Sequence, residues 1–348
     1  MSQEAREQAV LAAVRERRQQ VNDAIDEDLP MAEPERLYEA SRYILEAGGK
    51  RLRPAVLLLT AEALADVDSA DADYRAFPDL DGGEVDVMSA AVSIEVTQSF
   101  TLIHDDIMDD DDLRRGVPSV HREYDTETAI LAGDTLYSKA FEIMLQTGAP
   151  PERALRAMRT LAETCTHICE GQAMDIDFET RGDVVTDEYL DMVELKTAVL
   201  YAAAATLPAL LLSADEETVE ALYNYGVKVG QAFQIQDDVL DLTVPSEDLG
   251  KQRGSDLVEH KKTIITLHAA EHGVDIEGLL DADDPEDVTD EEVEAAVAEL
   301  RDAGSIQYAS DLAEDLVEEG KAHLDVLPEN EARHRLEQIA DYLIERGY

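Results

Sequence analysis

The chain has 348 residues and carries 79 Asp plus Glu against 29 Lys plus Arg, a formal net charge of −50. Such acidity repels phosphate backbones and anionic lipid headgroups, which argues against a nucleic-acid binder or a protein docked on a membrane by charge. With eight lysines against 21 arginines, the composition predicts a protein that stays soluble in a salt-rich cytoplasm, where counterions screen its self-repulsion.

The opening MSQEAREQAVLAAVRERRQQ lacks the apolar core of a secretion signal. Helical periodicity then runs over 34–45, 54–64, 87–104, 126–144, 151–170, 187–212, 216–242 and 291–302. Polar breaks rich in Gly, Pro and Asp separate these runs, with acidic surface loops expected near 66–86 and 273–290. Alternating β-branched strands are absent and there is no tryptophan. The expectation is one all-α domain over 1–348. The longest uncharged run, 197–213, touches the lower length for a membrane span, but its alanines, Pro208 and the flanking Lys196 favour a buried core helix. Cys165 and Cys169 stand one turn apart around His167 and are read as two small buried residues, kept reduced in a cytosolic chain.

Six aspartates fill eight positions from Asp105 to Asp112, followed at once by Arg114 and Arg115. With 40 aspartates in the chain, a DDxxD pattern is expected about 0.5 times by chance, so the pattern alone is weak. Three matches occur, beginning at Asp105, Asp237 and Asp283. The third contains Pro285 in a polar stretch and reads as solvated loop charge. The other two end long apolar helical runs. Positions i and i+4 share a helix face, so Asp105 with Asp109, and Asp237 with Asp241, would repel each other unless a cation held them. Clustered carboxylate oxygens suit Mg²⁺, which keeps room in its shell for phosphate oxygens.

Lysines are scarce, so their positions carry information. Lys50 stands in GGKRLRP, Lys196 in ELKTAVL, Lys251 in DLGKQRGSD and Lys261 in VEHKKTIITLHA. Ordinary surface pairing is worth only a few tenths of a kcal/mol. It does not account for Lys196 at the edge of a nearly uncharged helix, where burial without a partner is costly.

The stretches GGKRLRP, LIHDDIMDDDDLRRGVPSVH, AILAGDTL, GQAMD, LKTAVL, GQAFQIQDDVLDL and GKQRGSDLVEHKKT, in this order, resemble the trans-prenyl diphosphate synthases. The resemblance covers nearly the whole chain. It implies an all-helical bundle around a deep central cavity, a homodimer, and Mg²⁺ as cofactor, with several ions per site. The implied reaction joins isopentenyl diphosphate to an allylic diphosphate with release of diphosphate. Carried over position by position, Asp105, Asp109 and Asp237 are metal ligands, supported by Asp106, Asp238 and Asp241. Arg114, Lys196, Thr197, Gln234, Lys251 and Lys261 surround the allylic diphosphate. Arg114, Lys196 and Thr197 are also the expected catalytic groups. Lys50, Arg53, Gln98 and Arg115 form the isopentenyl diphosphate pocket.

Two positions depart from the family pattern. Gln98 stands where histidine is frequent, and His260 where glycine is usual; Asp110 to Asp112 exceed what the metals require. A terpene cyclase would replace the second aspartate motif, and a non-catalytic subunit would tend to lose one of the two. An acidic metal buffer would not need the basic clusters. The expected product is geranylgeranyl diphosphate, with fifteen or twenty-five carbons as alternatives. Phe100, five residues before Asp105 and so roughly 7.5 Å away along the axis, would form the cavity floor, with the smaller Thr101 leaving space. If Phe100 is plain core packing, the floor falls elsewhere, near Ala173 and Met174.

Overall fold

The computed structural model describes residues 3–244, 253–280 and 288–345. Lys251 and the third aspartate match, Asp283 to Asp287, lie outside them. The chain groups into two compact units whose segments interleave along the sequence. The first comprises 1–165, 200–223 and 324–339, the second 166–199, 224–323 and 340–348.

In the first unit, α1 (Gln3–Asp28), α2 (Glu35–Glu46), α3 (Leu52–Ala65), α4 (Val87–Met108) and α6 (Thr126–Met144) build the core, and a single-turn helix, α5 (Val120–Glu123), joins the last two. Helix α4 packs against α1, α3 and α6. It is buried along nearly its whole length, which its Ala, Ser and Val composition allows: small side chains let neighbours approach on every side. Its start is fixed by Asp86, whose carboxylate accepts the Ser89 amide at 2.8 Å. In the middle, the Ser93 hydroxyl reaches the Ala140 carbonyl of α6 at 2.8 Å. Leu57, Leu58 and Leu59 of α3 are wholly buried, each worth roughly 1.5–3 kcal/mol.

The acidic segment 66–86 is more anchored than its composition predicts. Tyr74 and Phe77 are buried and stack at 6.0 Å, and the Tyr74 hydroxyl donates to Glu62 at 2.6 Å. A short antiparallel pair, β1 (Phe77–Pro78) with β2 (Glu84–Val85), closes the loop. Most of its charge faces solvent, apart from the buried Asp79 paired with Arg153, while the aromatics hold the segment down. A second pair, β3 (Leu113–Arg114) with β4 (Val117–Pro118), follows the aspartate run.

Helix α7 (Pro151–Thr180) passes from the first unit into the second, as does α10 (Glu216–Thr243). Helix α8 (Thr186–Val193) runs through one π-helical turn, Glu194–Ala198, into α9 (Val199–Leu212). The most apolar 18-residue window within Thr186–Leu212 is 83% buried within the protein, in agreement with a core helix. After the short α11 (Ser255–Val258), helix α12 (Ile264–Glu271) packs on α8, on α13 (Asp290–Asp302) and on α14 (Ser305–Ala322). Helix α15 (Glu331–Glu345) ends the described chain. Of the two cysteines only Cys165 is buried; Cys169 is exposed, because the outer face of α7 carries it.

Candidate active site

The first aspartate motif closes α4. Asp105 lies in the last turn, and Asp109 is the capping residue, still right-handed, with its amide on the Asp105 carbonyl at 2.8 Å. The two carboxylates therefore stand one turn apart, Asp105 half-buried and Asp109 exposed. Asp106 points the other way and is fully buried. It accepts Arg114 Nε at 2.6 Å, while Arg114 also reaches Asp111 at 2.7 Å. Burial pushes the Asp106 carboxyl up to about 6, against the pull of Arg114. Its second oxygen, Oδ2, is buried without a hydrogen-bond partner. Asp110 and Asp112 both pair with Arg122, at 2.9 and 2.7 Å. The aspartate run thus pins its own hairpin to the end of α4.

The basic stretch that carries Lys50 and Arg53 is organised by a residue the sequence reading passed over. Glu95, buried in α4 three residues before Gln98, accepts Arg51 at 2.5 Å and Arg115 at 3.4 Å. Arg51 also donates to the Leu45 and Gly48 carbonyls, and Arg115 to the Ile44 and Gly48 carbonyls. A Cβ at Gly49 would come within 2.9 Å of the Arg115 guanidinium carbon, so glycine is required by that approach as well as by its φ of +133°. Burial lowers the Arg115 pKa, and Glu95 opposes the shift. The Arg53 guanidinium lies over the Tyr201 ring at 4.2 Å. Lys50 is exposed and Gln98 half-buried.

Phe100 is buried and edge-on to Tyr137 of α6 at 5.2 Å, and to His104 at 6.1 Å. Tyr137 continues the ladder to Phe141 at 5.2 Å. Gly133, from AILAGDTL, makes room for His104: a Cβ there would lie 2.2 Å from the imidazole Nε2.

In the second unit, Lys196 and Thr197 sit inside the π-helical turn, a local distortion frequent at functional sites. Two glycines permit it. A Cβ at Gly171 would come within 2.3 Å of the Lys196 amide nitrogen, and one at Gly230 within 2.5 Å of the Ala198 Cα. These are the glycines of GQAMD and GQAFQIQDD. The partner that burial of Lys196 demands is Asp175, the last residue of GQAMD, at 2.5 Å. Thr197 donates to the Gln234 side-chain oxygen at 3.1 Å.

The second motif divides in an unexpected way. Asp237 is half-buried, but Asp241, expected on the same metal-facing side, is 1% exposed. Its oxygens accept the Ser255 hydroxyl at 2.9 Å and the Asp256 amide at 3.2 Å. It anchors the chain after the motif rather than presenting a ligand, because the returning segment packs on that face of α10. Asp238 is buried too and accepts from Tyr189 and Gln234. Burial raises its pKa, and those two donors hold it back. Lys261 pairs with Glu259 at 2.8 Å. His260 adopts φ +56°, the left-handed backbone for which the usual glycine is suited.

A polyprenyl synthetase family model matches residues 34–300. The chain belongs to the polyprenyl synthetase family. It is similar to a geranylfarnesyl diphosphate synthase of Natronomonas pharaonis, 70% identical over 339 residues that cover 97% of this chain and 98% of that one. It is also similar to a geranylgeranyl diphosphate synthase of Methanosarcina mazei, 52% identical over 96% of this chain and 97% of that one. Among solved structures, a geranylgeranyl pyrophosphate synthetase from Geoglobus acetivorans superposes with a TM-score of 0.85 at 44% identity, covering 96% and 99% of the two chains. This polyprenyl synthetase is therefore an all-α prenyl diphosphate synthase, a prenyltransferase.

Sequence reasoning missed Glu95, Asp175 and Tyr189. The quoted stretch GQAMD contained Asp175, and the need for a partner at Lys196 pointed to an acid. Nothing in the linear pattern distinguishes Glu95 from any other glutamate of this acidic chain. Among the described residues no group of three or more His, Cys, Asp or Glu side chains gathers as a closed metal site. The donor set still fits Mg²⁺, since Asp105 and Asp109 present hard oxygens one turn apart and leave most of an octahedral shell to water and phosphate oxygens.

Proposed function

We propose that this enzyme condenses isopentenyl diphosphate with an allylic diphosphate to give geranylfarnesyl diphosphate, twenty-five carbons long. The observation that carries the chain length is the 70% identity to a geranylfarnesyl diphosphate synthase. The aromatic ladder supports it: Phe100 is engaged by His104 and Tyr137, as a packing residue would be. The second reading is a twenty-carbon product, favoured by the bulk of Phe100 and by the Methanosarcina mazei relative.

In this reading Asp105, Asp109 and Asp237 hold magnesium, which when bound neutralises the diphosphate charge that grows as the C–O bond breaks. Arg114, Lys196, Lys251 and Lys261 bind the allylic diphosphate and stabilise it further as it leaves. Thr197 and Gln234 face the allylic end, with the π-turn oxygens near the developing cation. Lys50, Arg53, Gln98 and Arg115 hold isopentenyl diphosphate so that its double bond meets the cation. The proton then lost passes to the released diphosphate, and a new allylic double bond forms.

The enzyme works as a cytoplasmic homodimer in this proposal. Exposed Ile130, Leu131 and Tyr137 on α6, with Leu145 and Leu155 beyond it, offer an apolar face that a second copy would cover. Light scattering at high salt reads the mass. Incubation with isopentenyl diphosphate, a farnesyl or geranyl starter and Mg²⁺, followed by chromatography of the dephosphorylated products, decides the length. A twenty-carbon limit would favour the second reading, and absence of any elongation would overturn both.

A further inference from the structure

We propose that Tyr189 is a positioning residue that fixes the polarity of the Thr197 hydroxyl. The proposal rests on the assignment of Thr197 to the allylic site. Four side chains of the second unit form one hydrogen-bonded line. The Tyr189 hydroxyl donates to Asp238 Oδ2. Gln234 Nε2 donates to the other oxygen, Oδ1, at 3.3 Å. Gln234 Oε1 in turn accepts the Thr197 hydroxyl at 3.1 Å.

Each link dictates the sense of the next. The Gln234 amide presents its amino end to Asp238, which accepts from it. The carbonyl end is thereby turned to Thr197. A threonine hydroxyl has one proton, and here that proton is directed at Gln234, so its remaining lone pairs are what Thr197 presents on its other side. Lone pairs suit an allylic cation. A hydroxyl free to rotate could instead aim its proton at the developing positive charge, which repels it. Gly171 and Gly230 add to the constraint, because they let α7 and α10 close on the π-turn that carries Thr197.

Tyr189 stands at the far end of the line, fully buried on α8, and its hydroxyl is the donor opposite Gln234. Without it, Asp238 Oδ2 becomes a buried acceptor with one partner fewer, and the Gln234 amino group is the donor within reach to satisfy it. That movement takes the Gln234 carbonyl away from Thr197. Tyr189 touches no substrate in this scheme. It acts through Asp238 and Gln234.

The test is a double-mutant cycle on the full-length enzyme with Mg²⁺ at high salt, reading kcat. Tyr189→Phe should lower kcat about tenfold in the wild-type background. It should change kcat by less than about twofold when Thr197→Val has already removed the hydroxyl. The KM for the allylic diphosphate and the Mg²⁺ concentration giving half-maximal activity should stay unchanged. An equal loss in both backgrounds overturns the proposal, since Tyr189 would then act independently of Thr197. A shift in the Mg²⁺ dependence also overturns it, because the effect would then run through Asp237. If Thr197→Val leaves kcat intact, the assignment of Thr197 to the allylic site fails instead. Should Tyr189→Phe not fold, 3-fluorotyrosine at residue 189 keeps the shape and alters donor strength, and the same cycle applies.

Discussion

Arg51 and Glu95 form an ion pair at 2.5 Å in which neither side chain is more than 4% exposed. Arg51 stands between Lys50 and Arg53 in sequence and turns into the protein, whereas Lys50 is exposed. Glu95 also reaches Arg115, so one buried carboxylate ties the GGKRLRP stretch and the arginine pair after the aspartates to α4. Removing it would leave the buried Arg51 and the half-buried Arg115 short of their counter-charge. Glu95→Ala should cost about 3–5 kcal/mol of stability, the usual penalty for breaking a buried pair from one side. Thermal denaturation measures the loss, and any folded fraction should show a raised KM for isopentenyl diphosphate.

Gly171 carries a different kind of constraint. Its Cα faces the Lys196 backbone so closely that even a methyl group must displace the π-turn. Gly171→Ala should lower kcat by about 10²-fold, as a displacement on the order of 1 Å does elsewhere. A serine or alanine at the exposed Gly182, where a Cβ meets no atom within 4 Å, should leave kcat near wild type and serves as control.

The aspartates of the two motifs should separate by phenotype. Asp105→Ala and Asp237→Ala should each reduce turnover by ~10²-fold or more while the melting temperature holds, because each removes stabilisation of the leaving diphosphate. Asp241→Ala should lower the melting temperature first, since it deprives Ser255 and the Asp256 amide of their acceptor. Side-by-side melting curves and initial rates test the contrast.

Salt should govern stability. Surface carboxylates repel over a Debye length of about 30 Å at 0.01 M salt but only about 3 Å at 1 M. The melting temperature should rise steeply between about 0.05 M and about 2 M KCl at constant Mg²⁺. Equal melting temperatures at both concentrations would contradict the reading of the −50 charge as an adaptation to salt.

His268 predicts a pH effect. Its ring is stacked between His272 at 4.0 Å and Tyr308 at 4.1 Å, with Nδ1 2.9 Å from the Ser305 hydroxyl. Burial, with the neighbouring His272, lowers its pKa below the ordinary 6.5. Below pH 6.5 the unfolded chain takes up a proton that the folded protein resists, so the unfolded state binds more protons. This contribution to stability is present above 6.5 and is lost as pH falls from 6.5 toward the lowered folded value. His268→Gln should flatten the melting-temperature profile in that window relative to wild type.

Local patterns in the chain determined the class of fold and the reaction. Apolar residues at helical spacing are a property of the chain itself, so the start of α4 at Val87 and both bounds of α6 follow from periodicity. Scarce lysines in an acidic chain likewise stand out without any structure, and Lys196 announced a partner. Tertiary packing decided which members of each pattern are available. Asp106 stands beside Asp105 in the same aspartate run, but the end of α4 turns it inward to Arg114. Asp241 repeats the i+4 spacing of a ligand, yet the segment at Ser255 covers it. Cys169 follows Cys165 by one turn and is exposed, since the faces of α7 meet different neighbours along its length. The partners of Glu95, Asp175 and Tyr189 are 20 to 49 residues away in sequence. Periodicity reports which face a residue occupies, whereas these contacts depend on which distant element arrives at that face.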